Sequence, residues 1–72
     1  MIYLARFSVI DDRYGLMGVE DAEFEAEDME ELHEQITEFH DTHDTKIIYY
    51  MLDDLEEEDG TDVLQEYKDR FE

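Results

Sequence analysis

IYLARFSVI, residues 2–10, alternates Tyr3, Ala5, Phe7 and Val9 with Ile2, Leu4, Arg6, Ser8 and Ile10. A period of two with apolar residues in both sets is the signature of a β-strand with two partly apolar faces, and the rest of the chain can be placed around it. Downstream, Asp11 to Gly18 (DDRYGLMG) supplies two glycines and two aspartates, the chemistry of a connecting loop. From Val19 to Ala26 the pattern returns: Ala22, Phe24 and Ala26 alternate with Glu23 and Glu25, which puts carboxylates on the solvent side. The two strands should pair as a hairpin.

The period then changes. Asp28, with Glu31 three residues on, reads as a helix N-cap and its capping-box partner. Met29, Leu32, Ile36 and Phe39 follow at helical spacing, predicting a helix over 29–40. Residues 45–52 (TKIIYYML) are rich in β-branched and aromatic types and predict a third strand. The acidic run Asp53 to Gly60 (DDLEEEDG) reads as a loop. Asp62 can cap a short C-terminal helix with Leu64, Tyr67 and Phe71 inward and Lys68 and Arg70 in the last turn, where the helix dipole favours cations.

The order ββαβα predicts a single α+β domain over residues 1–72, a small two-layer sandwich with the helices packed on a three-stranded sheet. A right-handed crossover through the first helix places strand 3 beside strand 1, giving a sheet order of 2-1-3. Strand 3 is then an exposed edge, and its run IIYYML makes a homodimer through the edge strand 45–52 a further expectation.

Composition sets the function classes. Seventy-two residues bury only about 60% of the surface of the unfolded chain, so one modest core is available. Against that stands a net charge of −19, from 24 Asp plus Glu and 5 Lys plus Arg, whose self-repulsion works against compactness. Hydrophobic residues at 42%, five Tyr, four Phe and no proline argue for a folded chain over a disordered one. Without cysteine, neither disulfides nor thiolate metal sites can form, which suits a cytoplasmic setting. No apolar run approaches the ~20 residues of a membrane span, and the N-terminus has no basic segment leading into an apolar stretch. The expectation is a soluble, unprocessed chain with no membrane partner.

The first helix carries the strongest functional signal. Glu27, Asp28, Glu30, Glu31, Glu34 and Glu38 point largely away from its apolar stripe. At a rise of 1.5 Å per residue these six span roughly 16 Å, about one charge every 3 Å, close to the phosphate spacing of about 3.4 Å along one strand of B-form DNA. Glu20, Glu23 and Glu25 on the neighbouring strand are expected to add a second row. An ordinary solvated face intersperses both signs of charge, whereas residues 14–45 hold no Lys or Arg.

This composition resembles that of the DNA-mimic proteins that phages use against restriction and CRISPR systems, a likeness of class carried by charge and not by a shared motif. It implies carboxylates in phosphate-binding positions of a basic nucleic-acid-binding protein and no direct contact with nucleic acid. Tyr14, with Leu16 and Met17, is a candidate apolar anchor beside the acidic field; alternatively Leu16 and Met17 fold back over one end of the core.

Other chemistry is poorly provided for. Aligning Gly60 with the glycine of an EF-hand loop puts Glu57, Asp59 and Glu66 at ligand positions but Leu55 at the first, and leucine cannot ligate calcium. His33, His40 and His43 match no zinc signature. A single Ser set in a strand, no Cys and no glycine-rich phosphate loop give catalysis little support, and carboxylates are too numerous for any acid/base pair to be informative, so no enzyme activity, cofactor or metal is expected. The leading expectation is a nucleic-acid mimic that blocks its partner's binding site. The alternative is a non-mimetic adaptor or shield for a basic protein or toxin. High-salt adaptation is a third source of such charge; unfolding below ~1 M salt, as screening of the self-repulsion is lost, would support it.

Overall fold

The computed structural model describes residues 1–72 in five elements: β1 Ile2–Asp11, β2 Gly15–Glu25, α1 Met29–His43, β3 Ile48–Glu57 and α2 Leu64–Phe71. β1 lies between the other two strands and is antiparallel to both, so the sheet order is β2-β1-β3, as expected from the crossover. The parity of β1 decides which face the helices cover. Tyr3, Ala5 and Phe7 are buried with Leu32 and Ile36 of α1, Leu55 of β3 and Tyr67 of α2, while Leu4 and Arg6 stay exposed. Phe7, Leu32 and Leu55 are 0% exposed, and burying each contributes about 1.5–3 kcal/mol. The total is on the order of 0.05–0.15 kcal/mol per residue, so no core side chain is dispensable.

Two bulges set the strand limits, and both differ from the sequence expectation. The loop expected over 11–18 is only a turn at residues 12–14. Asp11 Oδ1 accepts the Arg13 N–H at 2.7 Å, and Gly15 takes φ +82°, where a Cβ would be penalised. Pairing therefore resumes at Gly15, with Met17 as the extra residue between Val9↔Gly18 and Ile10↔Leu16. Leu16 and Met17 do not fold back over the core; they are 68% and 60% exposed.

The loop expected over 53–60 is likewise mostly strand. β3 starts at Ile48 because Thr45 Oγ1 accepts the N–H groups of Ile47 and Ile48 and closes a turn before it. It then continues to Glu57 through a register shift between Arg6↔Asp54 and Phe7↔Leu52 that leaves Asp53 as the inserted residue. Leu52 and Leu55 are three apart, an odd spacing that would put them on opposite faces of a regular strand. The bulge brings both to the helix side: Leu55 enters the core and Leu52 packs against it.

α1 begins at the expected N-cap, with Asp28 Oδ1 accepting the Glu31 N–H at 2.9 Å, the Asp28 half of the expected capping box. It runs to His43, three residues beyond the expected end. His43 stacks on Phe39 one turn back, with ring centroids 4.0 Å apart, and Phe39 stacks on Phe7 at 4.3 Å. The C-terminal helix is capped one residue later than expected. Val63 holds the N-cap position without a side-chain bond, while Asp62 Oδ1 accepts the Leu64 N–H at 3.0 Å. α2 is locked onto α1 by the His33–Phe71 stack, the 2.9 Å hydrogen bond between His33 Nδ1 and the Tyr67 hydroxyl, and the Arg70–Glu30 pair at 3.0 Å. No helix is long and apolar enough to cross a membrane.

Candidate functional site

α1 presents its carboxylates as a consequence of what it buries. With Met29, Leu32 and Ile36 in the core, helical geometry turns Glu30, Glu31, Glu34 and Glu38 to solvent, and all four are exposed. Asp41 extends the row by another turn. The sequence reading missed it by stopping the helix at 40; the Phe39/His43 spacing of four was the available signal. Two members of the expected set have local tasks. Asp28 is the N-cap, and Glu30 accepts from Arg70 Nη2. Glu27, at the entry to the helix, is exposed. Compensation elsewhere is sparse: the ion pairs are Arg6–Asp21, Arg13–Asp11, His40–Asp44 and Arg70–Glu30, so only four of the 24 acidic side chains have one.

The strand carboxylates do not form one row beside α1. Glu20 lies opposite Phe7 on the helix side of the sheet, half-buried against Tyr50, whose phenol is pushed up by its own burial and then by the Glu20 charge. Glu23 and Glu25, paired with Leu4 and Ile2, lie on the other face. There they join residues the sequence reading did not single out. Asp21 and Asp54 flank Arg6, and Glu23 and Glu56 flank Leu4, because both strands pair with β1 at these positions. A depression of about 290 Å³ centres on this group. Arg6 Nε donates to Asp21 Oδ1 at 2.9 Å, and that bond, with the surrounding carboxylates, raises the guanidinium further above its already high value. The signal for Asp54 and Glu56 was strand alternation, hidden by the bulge at Asp53. Tyr14, 78% exposed beneath the Arg13 guanidinium, sits in the β1–β2 turn. That end of the sheet lies where α1 finishes, not where Glu30 and Glu31 begin it.

The remaining candidates are occupied by structural roles. Leu55 is in the core, and Asp59 accepts the Thr61 N–H at 3.0 Å, a bond that holds its carboxyl below the usual range. No group of three His, Cys, Asp or Glu side chains is placed to hold a metal ion. His33 is stacked on Phe71, His40 meets Asp44 at 3.3 Å and His43 is stacked on Phe39. A cleft of about 510 Å³ between α1, β3 and α2 is lined by His33, His40, Tyr50, Leu52, Tyr67 and Phe71. Burial pushes the Tyr67 phenol up to about 12, so it is a neutral hydrogen-bonding group at physiological pH.

The two sheet edges are unequal. The outer side of β3 is largely taken by its own chain. Asp44 Oδ1 accepts the Tyr50 N–H, Val63 N–H donates to the Leu55 carbonyl, and Glu57 N–H donates to the Thr61 carbonyl. A second strand docking on residues 45–52 would have only the stretch around Leu52 to use. β2 is the longer open edge, and its Glu20, Asp21, Glu23 and Glu25 discourage pairing with another acidic strand. Comparison with protein-family models, with curated proteins and with solved structures finds no match to this chain.

Proposed function

We propose that this protein is a non-catalytic, cytoplasmic binding protein that stands in for nucleic acid and blocks the nucleic-acid-binding site of a basic partner. The observation that supports this is the mounting of the α1 carboxylates. They project from a 15-residue helix whose opposite side is part of the core, so the spacing of Glu30, Glu31, Glu34, Glu38 and Asp41, about 4 Å per charge along the axis, is held by the fold. Fixed charge at near-phosphate density meets basic sites without the entropy cost of ordering a flexible chain, and its field speeds encounter in a salt-dependent way. The likeness in composition to phage DNA mimics suggests restriction or CRISPR machinery as the class of target.

The placement of Glu23 and Glu25 away from α1 favours a second reading, an adaptor or shield whose contacts with a basic protein do not follow a nucleic-acid path. Competition separates the two. A basic nucleic-acid-binding protein retained from host lysate at low salt should release its oligonucleotide when this chain is added, and Glu31→Lys/Glu34→Lys/Glu38→Lys should abolish that release. Glu30 is left in place because it holds Arg70. Simultaneous occupancy of the partner by oligonucleotide and this chain would favour the adaptor. Undiminished release by the triple variant at moderate salt would remove α1 as the mimic row.

A further inference from the structure

The sheet face turned away from the helices has no cover, and it is not uniformly polar. An antiparallel sheet with one wet face normally alternates apolar-in with polar-out. Here the register puts Leu16, Ile10 and Tyr49 in one row across the three strands and Val19, Ser8 and Met51 in the next, where the Ser8 hydroxyl donates to the carboxylate of the bulge residue Asp53. Leu16 is 68% exposed, Val19 62% and Met51 49%. Immediately beyond them, on the same face, come the carboxylate rows around Arg6 described above.

Area and charge together identify what fits. Two rows across three strands measure about 14 Å each way, well short of the about 800 Å² per partner that a standard interface buries. A second copy of this chain would therefore have to use the adjoining acidic rows as well, laying carboxylates on carboxylates between two molecules of charge −19. A basic partner can use the whole face: apolar side chains on the Leu16 and Val19 rows, Lys or Arg on the Asp21 and Glu23 rows. We infer that this open face is a docking surface for the basic partner, with an apolar end, desolvated on docking, that α1 lacks. The inference rests on the reading of the partner as a basic nucleic-acid-binding protein and adds a contact surface on the opposite side of the molecule from α1. A nucleic-acid cleft that closes round its ligand has walls for both.

The test uses two synthetic Lys-rich peptides of equal length and charge, one carrying two Trp residues, titrated into isotope-labelled full-length protein. The Trp peptide should bind about tenfold tighter, equivalent to 1.4 kcal/mol, with amide shifts centred on Leu16, Val19 and Met51. Val19→Thr/Met51→Thr, which keeps strand-compatible residues, should remove most of that excess while the amide spectrum stays dispersed. Should the variant fail to fold, shift mapping on the unsubstituted protein still decides the point. Equal affinity for the two peptides, or shifts confined to α1, would overturn the assignment. So would concentration-dependent dimerisation that protects the same amides, since a second copy would then be the occupant. Binding of the Trp peptide on this face together with simultaneous oligonucleotide occupancy of the natural partner would leave the docking surface standing and remove the mimicry.

Discussion

Asp11 is the acidic residue whose charge the fold uses most directly. Its side chain is only 2% exposed, yet Oδ1 accepts from the Arg13 backbone N–H and Nε, and Oδ2 accepts from Nη2 at 3.1 Å. These bonds, led by the Arg13 side chain, hold the carboxyl below its ordinary value of 3.8. A carboxyl lowered on folding stabilises the native state in full above the unfolded value, and the contribution fades as pH falls through the lower, folded one. Asp11→Asn keeps an oxygen for the Arg13 N–H and removes the charge, so it separates turn geometry from ion pairing. The variant should melt at a lower temperature at pH 7, and its Tm should converge on that of the unsubstituted protein below pH 3.8. Equal melting temperatures at pH 7, followed by calorimetry across that range, would mean that the Arg13 pair adds nothing to the turn.

β3 shows at the level of elements what the sequence could and could not disclose. The first two strands and the helix from Asp28 were legible because each rested on a periodic signal, the third strand because its residues are β-branched and aromatic, and the 2-1-3 order because it follows from one crossover rule. The second half of β3 was not legible, because a single inserted residue at Asp53 reverses the alternation and makes DDLEE read as an acidic loop. The same parity change concealed Asp54 and Glu56 from the candidate site. At the other end of the sheet, the two glycines that suggested a loop instead permit a positive φ at Gly15 and lie beside the bulge at Met17. The α1 row was legible almost in full, since helical phase depends only on which residues are apolar. Leu55→Ala tests the corrected strand. A leucine in a mobile acidic loop could be truncated at little cost, whereas one that is 0% exposed should lose about 2–5 kcal/mol. Chemical denaturation would measure the difference, and a loss under about 0.5 kcal/mol, the range of ordinary surface substitutions, would return residues 53–57 to the solvent.

At the scale of the whole molecule, the carboxylates that would serve a partner oppose the fold that holds them. The molecule measures 36 × 20 × 20 Å. At physiological ionic strength the screening length is about 8 Å, so a carboxylate repels chiefly its near neighbours; at 0.01 M salt it is about 30 Å, and charges at opposite ends of the molecule act on one another. The ten-residue core cluster has little stability in reserve against that added repulsion. The melting temperature should therefore rise with sodium chloride, steeply up to physiological strength and less beyond it. Glu34→Gln/Glu38→Gln removes two neighbouring, unpaired charges one turn apart on α1. It should raise Tm at 0.01 M salt, and the gain should shrink towards zero near 1 M, where the screening length is about 3 Å. Scanning calorimetry of both proteins across this range measures the cost of the acidic surface. A flat salt dependence would show that the unfolded chain suffers the same repulsion as the native one, and the charge would then be free of any folding penalty. A rising one that collapses onto a single curve in high salt would show that the native state holds its carboxylates closer than the unfolded chain does, as a shaped anionic surface requires.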